Sequence, residues 1–118
     1  EWVWQACYIG INRANELVDY IPRISSMAAD RQARYIAEGK FLRALHYFNL
    51  VRWFGGVPLR TRATTQVTDD VQVPRAPVEE VYAQLVRDLQ EAETALPDQV
   101  PAAERGRATR WAAKALLA

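Results

Sequence analysis

Ala37-Glu-Gly-Lys-Phe-Leu-Arg-Ala-Leu-His-Tyr-Phe-Asn-Leu-Val-Arg-Trp-Phe-Gly-Gly-Val-Pro-Leu59 is the stretch whose reading decides the fold. It has the pattern of the second half of a long helix that stops at Gly55-Gly56. Glycine just past the last apolar position, with proline soon after, is a C-terminal stop signal. Asp30 is the expected N-cap, its carboxylate accepting from the free N–H groups of the first turn. From Arg31 to Phe54 such a helix spans about 36 Å.

At ~100° per residue the apolar side chains of this helix fall on three sides. Ala37, Phe41, Ala44, Phe48 and Val51 form one, Tyr35, Leu42 and Trp53 a second, and Ile36, Tyr47, Leu50 and Phe54 a third. A helix apolar nearly all round is packed on several sides, so this one is expected to be central. Arg34, Glu38, Lys40, Arg43 and Arg52 lie between the stripes. They are expected at seams, stems packed and heads reaching water or a partner.

Working outward, Trp2 to Tyr20 reads as a first helix ended by Pro22, with Trp4, Tyr8, Ile11, Asn15 and Val18 on one face. The short link Arg23 to Ala29 makes the first two helices antiparallel neighbours. Val57-Pro-Leu59 is expected to be extended. Thr61 to Pro74 reads as a surface loop with room for a short strand. A third helix starts at Pro77, carries Glu79 and Glu80 in its first turn, and ends near Leu96-Pro97. A polar loop, Asp98 to Gly106, leads to Thr109 as the N-cap of a fourth helix. The chain is therefore predicted to be all-α, with a helix pair over 2–54, a long loop over 55–76 and a second pair over 77–118.

The 118 residues are half apolar and a quarter charged, as expected of a globular protein. A net charge of +1 gives no bulk electrostatic case for nucleic acid. Arg105-Gly-Arg-Ala-Thr-Arg110 has the chemistry of a small phosphate patch, although a solvated loop and helix start is the more ordinary reading. One Cys and one His exclude an internal disulfide and a His/Cys cluster for zinc. Cys7 falls on the apolar face of the first helix and is expected in the core. His46 sits among apolar residues as a seam or core histidine. Glu38 with Arg43, Glu79-Glu80 and Asp69-Asp70 have acid–base chemistry, but nothing in the sequence fixes a pair about a cleft. They read as seam, helix-start and loop charges. The sequence carries no initiating Met and ends inside an apolar helical pattern, and its central helix asks for three neighbours. We therefore expect part of a larger protein, truncated at both ends.

Ala37-x-x-x-Phe41-x-x-Ala44 has the small–large–small spacing of a tetratricopeptide helix, although the proline and first-helix tryptophan of a standard repeat are missing. Beyond that spacing, four blocks resemble the SusD/RagB family of outer-membrane nutrient-binding lipoproteins. The first is Trp4-x-x-x-Tyr8-x-x-Ile11-Asn-Arg-Ala-Asn15. The second runs from Ala37-Glu38 through Phe41-Leu-Arg43-Ala44, Tyr47-Phe48 and Leu50-Val51 to Gly55 and Val57-Pro58-Leu59. The third is Arg75-x-Pro-Val-Glu-Glu-Val-Tyr82, then Asp88-Leu89-x-x-Ala92 and Leu96-Pro97. The fourth is Gly106-Arg107-Ala-Thr109 with Ala112-Ala113-x-Ala115-Leu116-Leu117. Departures are Gly39 for a small Ala, at ~1 kcal/mol of helix propensity, Gly56 for Asp or Asn, and Ala76 for a Ser or Thr cap.

The resemblance implies tetratricopeptide-like helix pairs in a right-handed superhelical scaffold and a non-enzymatic, cofactor-free role. Members bind oligosaccharide or another nutrient and cap a TonB-dependent outer-membrane transporter. They sit on the surface of a Gram-negative bacterium, anchored by lipid on a cysteine expected outside these residues. Glycan sites use exposed Trp or Tyr as flat platforms with amides alongside, which makes Trp2 and Asn12 the candidate ligand residues. Trp4, Trp53 and Trp111 are expected to be structural. Asn15, like Asn12, also has the chemistry to satisfy backbone at a helix junction. The competing class is a helical-repeat adaptor that binds protein and no sugar. Phe41→Ala is expected to cost ~3–5 kcal/mol if the ring lies in the core.

Overall fold

The computed structural model describes residues 1–64 and 73–118. Four helices dominate: α1 (Trp2–Tyr20), α2 (Ala29–Phe54), α3 (Val78–Ala95) and α4 (Arg110–Leu117). Single 3-10 turns follow α1 at Ile21–Arg23 and precede α4 at Ala102–Glu104. Two short strands, β1 (Val57–Pro58) and β2 (Arg75–Ala76), pair antiparallel, with Val57 opposite Ala76 and Pro58 opposite Arg75. The strand expected between Thr61 and Pro74 thus lies one residue beyond that span. Most of the expected Thr61–Pro74 loop, with Asp69 and Asp70, lies outside the described residues.

Each helix runs antiparallel to the next. Along α1 and α2 the contacts run Trp4 with Phe54, Tyr8 with Tyr47, Gly10 with His46 and Leu17 with Gly39. Arg43 meets Asp88 and Lys40 meets Glu91 between α2 and α3, and Lys114 meets Glu93 between α4 and α3. Close approach depends on small residues. A Cβ on Gly10 would lie 2.3 Å from Nε2 of His46, and one on Gly39 would lie 3.0 Å from Leu17. His46 is thus a seam residue resting on the α1 backbone, and burial pushes its pKa down. Cys7 is in the core, where burial pushes its thiol up.

Two of the three apolar sides of α2 have neighbours. Tyr47 and Phe54 meet α1, while Ala37, Ala44 and Val51 share one buried cluster with Val81, Leu85 and Leu89 of α3. The second side departs from expectation, because Leu42 is 44% and Trp53 67% exposed. Among the described residues Arg107 lies over Tyr35 at one end of that side, while Leu42 and Trp53 stay largely exposed. Trp111, on α4, is also exposed, so of the three tryptophans read as structural only Trp4 is packed. Phe41 is half-buried rather than enclosed, which puts its truncation below the full core value.

The helix ends follow local chemistry. Gly55 has φ +72 and donates its N–H to O of Val51, as the stop signal predicts. Gly56 is required by proximity, since a Cβ there would lie 2.4 Å from the carbonyl oxygen of Ala76. Thr109 caps α4, its Oγ1 accepting from N of Ala112. Asp30 is not the cap of α2. The helix starts two residues earlier than expected, at Ala29, with extended Ala28 at the cap position and no side-chain bond, so Asp30 falls in the first turn and acts on the helix dipole. Pro77 likewise precedes α3 as an extended cap residue, with ψ 158, rather than opening it. No helix among the described residues is long and apolar enough to cross a membrane.

Candidate functional site

The polar residues of the recurring blocks converge from three helices. Arg43, 4% exposed, donates from Nε and Nη2 to Oδ2 and Oδ1 of Asp88 at 2.8 and 2.7 Å. Its Nη1 donates to Oδ1 of Asn15 at 2.9 Å and to O of Thr61 at 3.3 Å. Asn15 Nδ2 in turn donates to O of Arg60 and O of Arg62 at 3.0 and 3.3 Å. Tyr47 OH donates to O of Arg60 and accepts from its N. Burial opposes the charge on Arg43, but the hydrogen bonds and charge of Asp88 outweigh it and hold the guanidinium above its usual range. The result is a buried polar clasp that fixes residues 60–62 across the helices.

The clasp extends along α1. Tyr8 OH donates to O of Pro58 at 2.6 Å, and Asn12 Oδ1 and Asp19 Oδ2 accept from N of Thr64 and N of Ala63, both at 2.9 Å. Asn12 Nδ2 donates to Oε1 of Glu16. Both asparagines of the first block therefore satisfy backbone of the segment leaving β1. Burial pushes the Tyr8 phenol up, and it pushes that of Tyr47 up to about 12.

A second cluster ties α2 to the turn before α4. Arg34 Nη2 donates to Oε2 of Glu104 at 2.9 Å and so holds that carboxyl below its usual range. Arg34 Nε faces Oε1 of Glu38 at 3.5 Å, and Nη1 of Arg107 lies 3.8 Å from the same oxygen. Neither Arg34 Nε nor Glu38 Oε1 has a hydrogen-bond partner at normal range. Arg107 lies over the Tyr35 ring, 5.5 Å from its centre, after Gly106 at φ +106. The sequence-level grouping of Glu38 with Arg43 therefore divides, with Glu38 facing Arg34 and Arg107 and Arg43 facing Asp88. Arg105–Arg110 is partly consumed in ion pairs, since Arg110 also reaches Asp98. The signal for the Arg43–Asp88 pair was present in phase: Asp88 falls on the core stripe of Val81, Leu85, Leu89 and Ala92.

Trp2, the candidate platform, is 78% exposed at the start of α1, while Asn12 lies nearly three turns further along. The structure does not bring them together. Asn12 instead lies with Trp4, Gln5, Tyr8, Ile9, Arg13 and Glu16 along a wide-open depression on the outward face of α1. Among the described residues no three His, Cys, Asp or Glu side chains gather as metal ligands.

Helix pairs locked by internal polar clasps, with exposed aromatics outside them, define a helical scaffold suited to binding. The chain belongs to the SusD-like family, whose model, described as starch-binding and associating with the outer membrane, matches residues 1–118. A SusD-like protein of Formosa agariphila, P25, is 32% identical over 111 residues, covering 93% of this chain and 21% of its own. A laminarin-binding SusD-like protein of known structure is 41% identical, with TM-score 0.90, over 98% of this chain and 24% of its own. A structure solved with xylogluco-oligosaccharide is 29% identical, with TM-score 0.84, over 97% of this chain and 22% of its own. The chain thus spans about a fifth of the length of the curated relatives it matches. Its fold is the tetratricopeptide-like helix-pair arrangement expected from the sequence.

Proposed function

We propose that the protein carrying these residues captures oligosaccharide at the outer face of the outer membrane, held there by a lipid anchor, and passes it to a TonB-dependent transporter. The observation that carries this reading is the likeness, over nearly the whole chain, to a laminarin-binding member of the family. A binding rather than catalytic role fits the chemistry, because the buried charges of the described residues are engaged with one another. These residues act mainly as scaffold. Trp2 and Asn12 are the proposed glycan contacts within them, the exposed indole as a platform for a sugar C–H face and the amide as a hydroxyl partner.

The open Leu42–Trp53 side of α2 favours one second reading, a helical-repeat adaptor that binds protein and no sugar. Calorimetry of the protein against laminari-, xylogluco- and malto-oligosaccharides separates the two. Binding to at least one of the three is expected, and the 118 residues alone are expected to bind none. Absence of any glycan binding by the protein, with retention of a protein partner, would select the adaptor.

A further inference from the structure

We infer that the seam between α1 and α2 is an acid-sensitive hinge, in which neutral His46 seats its ring on Gly10 and closes one edge of α1, and protonated His46 swings out and frees that edge. The inference goes beyond the glycan reading and does not depend on it.

The seat is shaped for an uncharged ring. A Cβ on Gly10 would lie 2.3, 2.7 and 2.8 Å from Nε2, Cε1 and Cδ2 of His46, so the tip of the imidazole fills the space a side chain would take. Nε2 is the nearest of the three and faces the Gly10 Cα, which offers no acceptor. A neutral ring meets that contact with a bare Nε2 and its proton on Nδ1, whereas an imidazolium carries N–H on both nitrogens. His46 makes no hydrogen bond or ion pair among the described residues. Driving a charge and an N–H into such a contact is costly.

The neighbouring groups do not relieve that cost. Within a turn of the contact the titratable groups are Cys7, Tyr8 and Arg13 on α1, and Arg43 and Tyr47 on α2. None is a carboxylate. Both charged members are cations, and Arg43 is already bonded to Asp88. Burial alone holds the imidazole below its ordinary value near 6.5. The closed seam is thus complete above that value and is lost as pH falls toward the folded one.

The fold permits opening on this edge and resists it on the other. Bonds from Tyr8, Asn12, Asn15 and Asp19 hold the clasp edge of α1 to residues 58–64. Asn15 lies about 140° around α1 from Gly10, at ~100° per residue. On α2, Leu42 stands about one turn before His46 and Trp53 about two turns after it, and both are exposed. A charged ring therefore has water beside it to turn into, while the clasp keeps α1 attached. Trp2 and Asn12 are both carried on α1, so the hinge acts on the helix that bears the proposed glycan contacts.

The test is amide hydrogen exchange of the protein at about pH 7.5 and about pH 5, on either side of the ordinary histidine value, with protection corrected for the intrinsic rate. Wild type is compared with His46→Gln and His46→Leu, neither of which can take a proton there. In wild type the amides around Gly10 and Ala14 should lose protection severalfold in acid, while those of Leu85 and Leu89 in α3 change little. Both variants should show no such loss, and if one substitution loosens the seam at both pH values the other carries the comparison. A wild type that keeps its protection in acid, or variants that lose as much as wild type does, would overturn the hinge and leave the proposed function standing.

Discussion

Arg43 and Asp88 bury two opposite charges among apolar side chains, and such a pair is tolerable only when every polar atom finds a partner. Here the guanidinium is shared between a bidentate carboxylate, an amide oxygen and a backbone carbonyl. Removing one partner leaves the other charged and dry, so Asp88→Asn is expected to cost about 3–5 kcal/mol in denaturant unfolding. Replacing both by apolar residues, as in Arg43→Met/Asp88→Leu, should not recover stability. Asn15 Oδ1 and O of Thr61 would then lose their buried donor. Tyr47 carries a pH dependence. Its folded pKa, pushed up to about 12 by burial, exceeds the ordinary value near 10. The contribution is thus complete below the ordinary value and disappears as pH rises toward the folded one. Thermal midpoints measured across that alkaline window should fall, and fall less in Tyr47→Phe. The apolar members of this core were legible from spacing, because burial follows helical phase. Asp88 was in phase with them, but a lone acidic residue on a stripe does not name its partner, which lies 45 residues away.

Helix α2 was the most legible element, since its stop signal, length and central position all follow from local pattern. Its N-terminus was misplaced by two residues because Asp30 serves the first turn as well as it would serve the cap. The β1–β2 pair was not legible as a pair. Its strands are two residues long and 17 positions apart, too short for alternation to register. Gly56 holds them together by lacking a side chain, and the Asp or Asn common there would place its Cβ against O of Ala76. Gly56→Ala is therefore expected to cost ~1–3 kcal/mol, the usual range for overpacking. Faster amide exchange at Val57 and Ala76 would locate that loss in the strand pair. Unchanged exchange there would show that the strands separate without consequence.

At the scale of the molecule, the signature residues that looked most like a site prove to be its internal bracing. Arg43, Asp88 and Asn15 are nearly inaccessible, and the exposed aromatics Trp2, Trp53 and Trp111 lie outside the polar spacing that made the family recognisable. The sequence pattern thus revealed the scaffold more clearly than any surface, because packing imposes spacing on a chain and ligand contact need not. The scaffold claim is tested most directly by measuring laminari-oligosaccharide affinity and unfolding free energy side by side for wild type and Asp88→Asn. The expected result is a loss of several kcal/mol in stability with unchanged affinity of the folded protein, measured well below its melting point. Weakened affinity at unchanged stability would contradict it and make the Arg43–Asp88 clasp part of the glycan site.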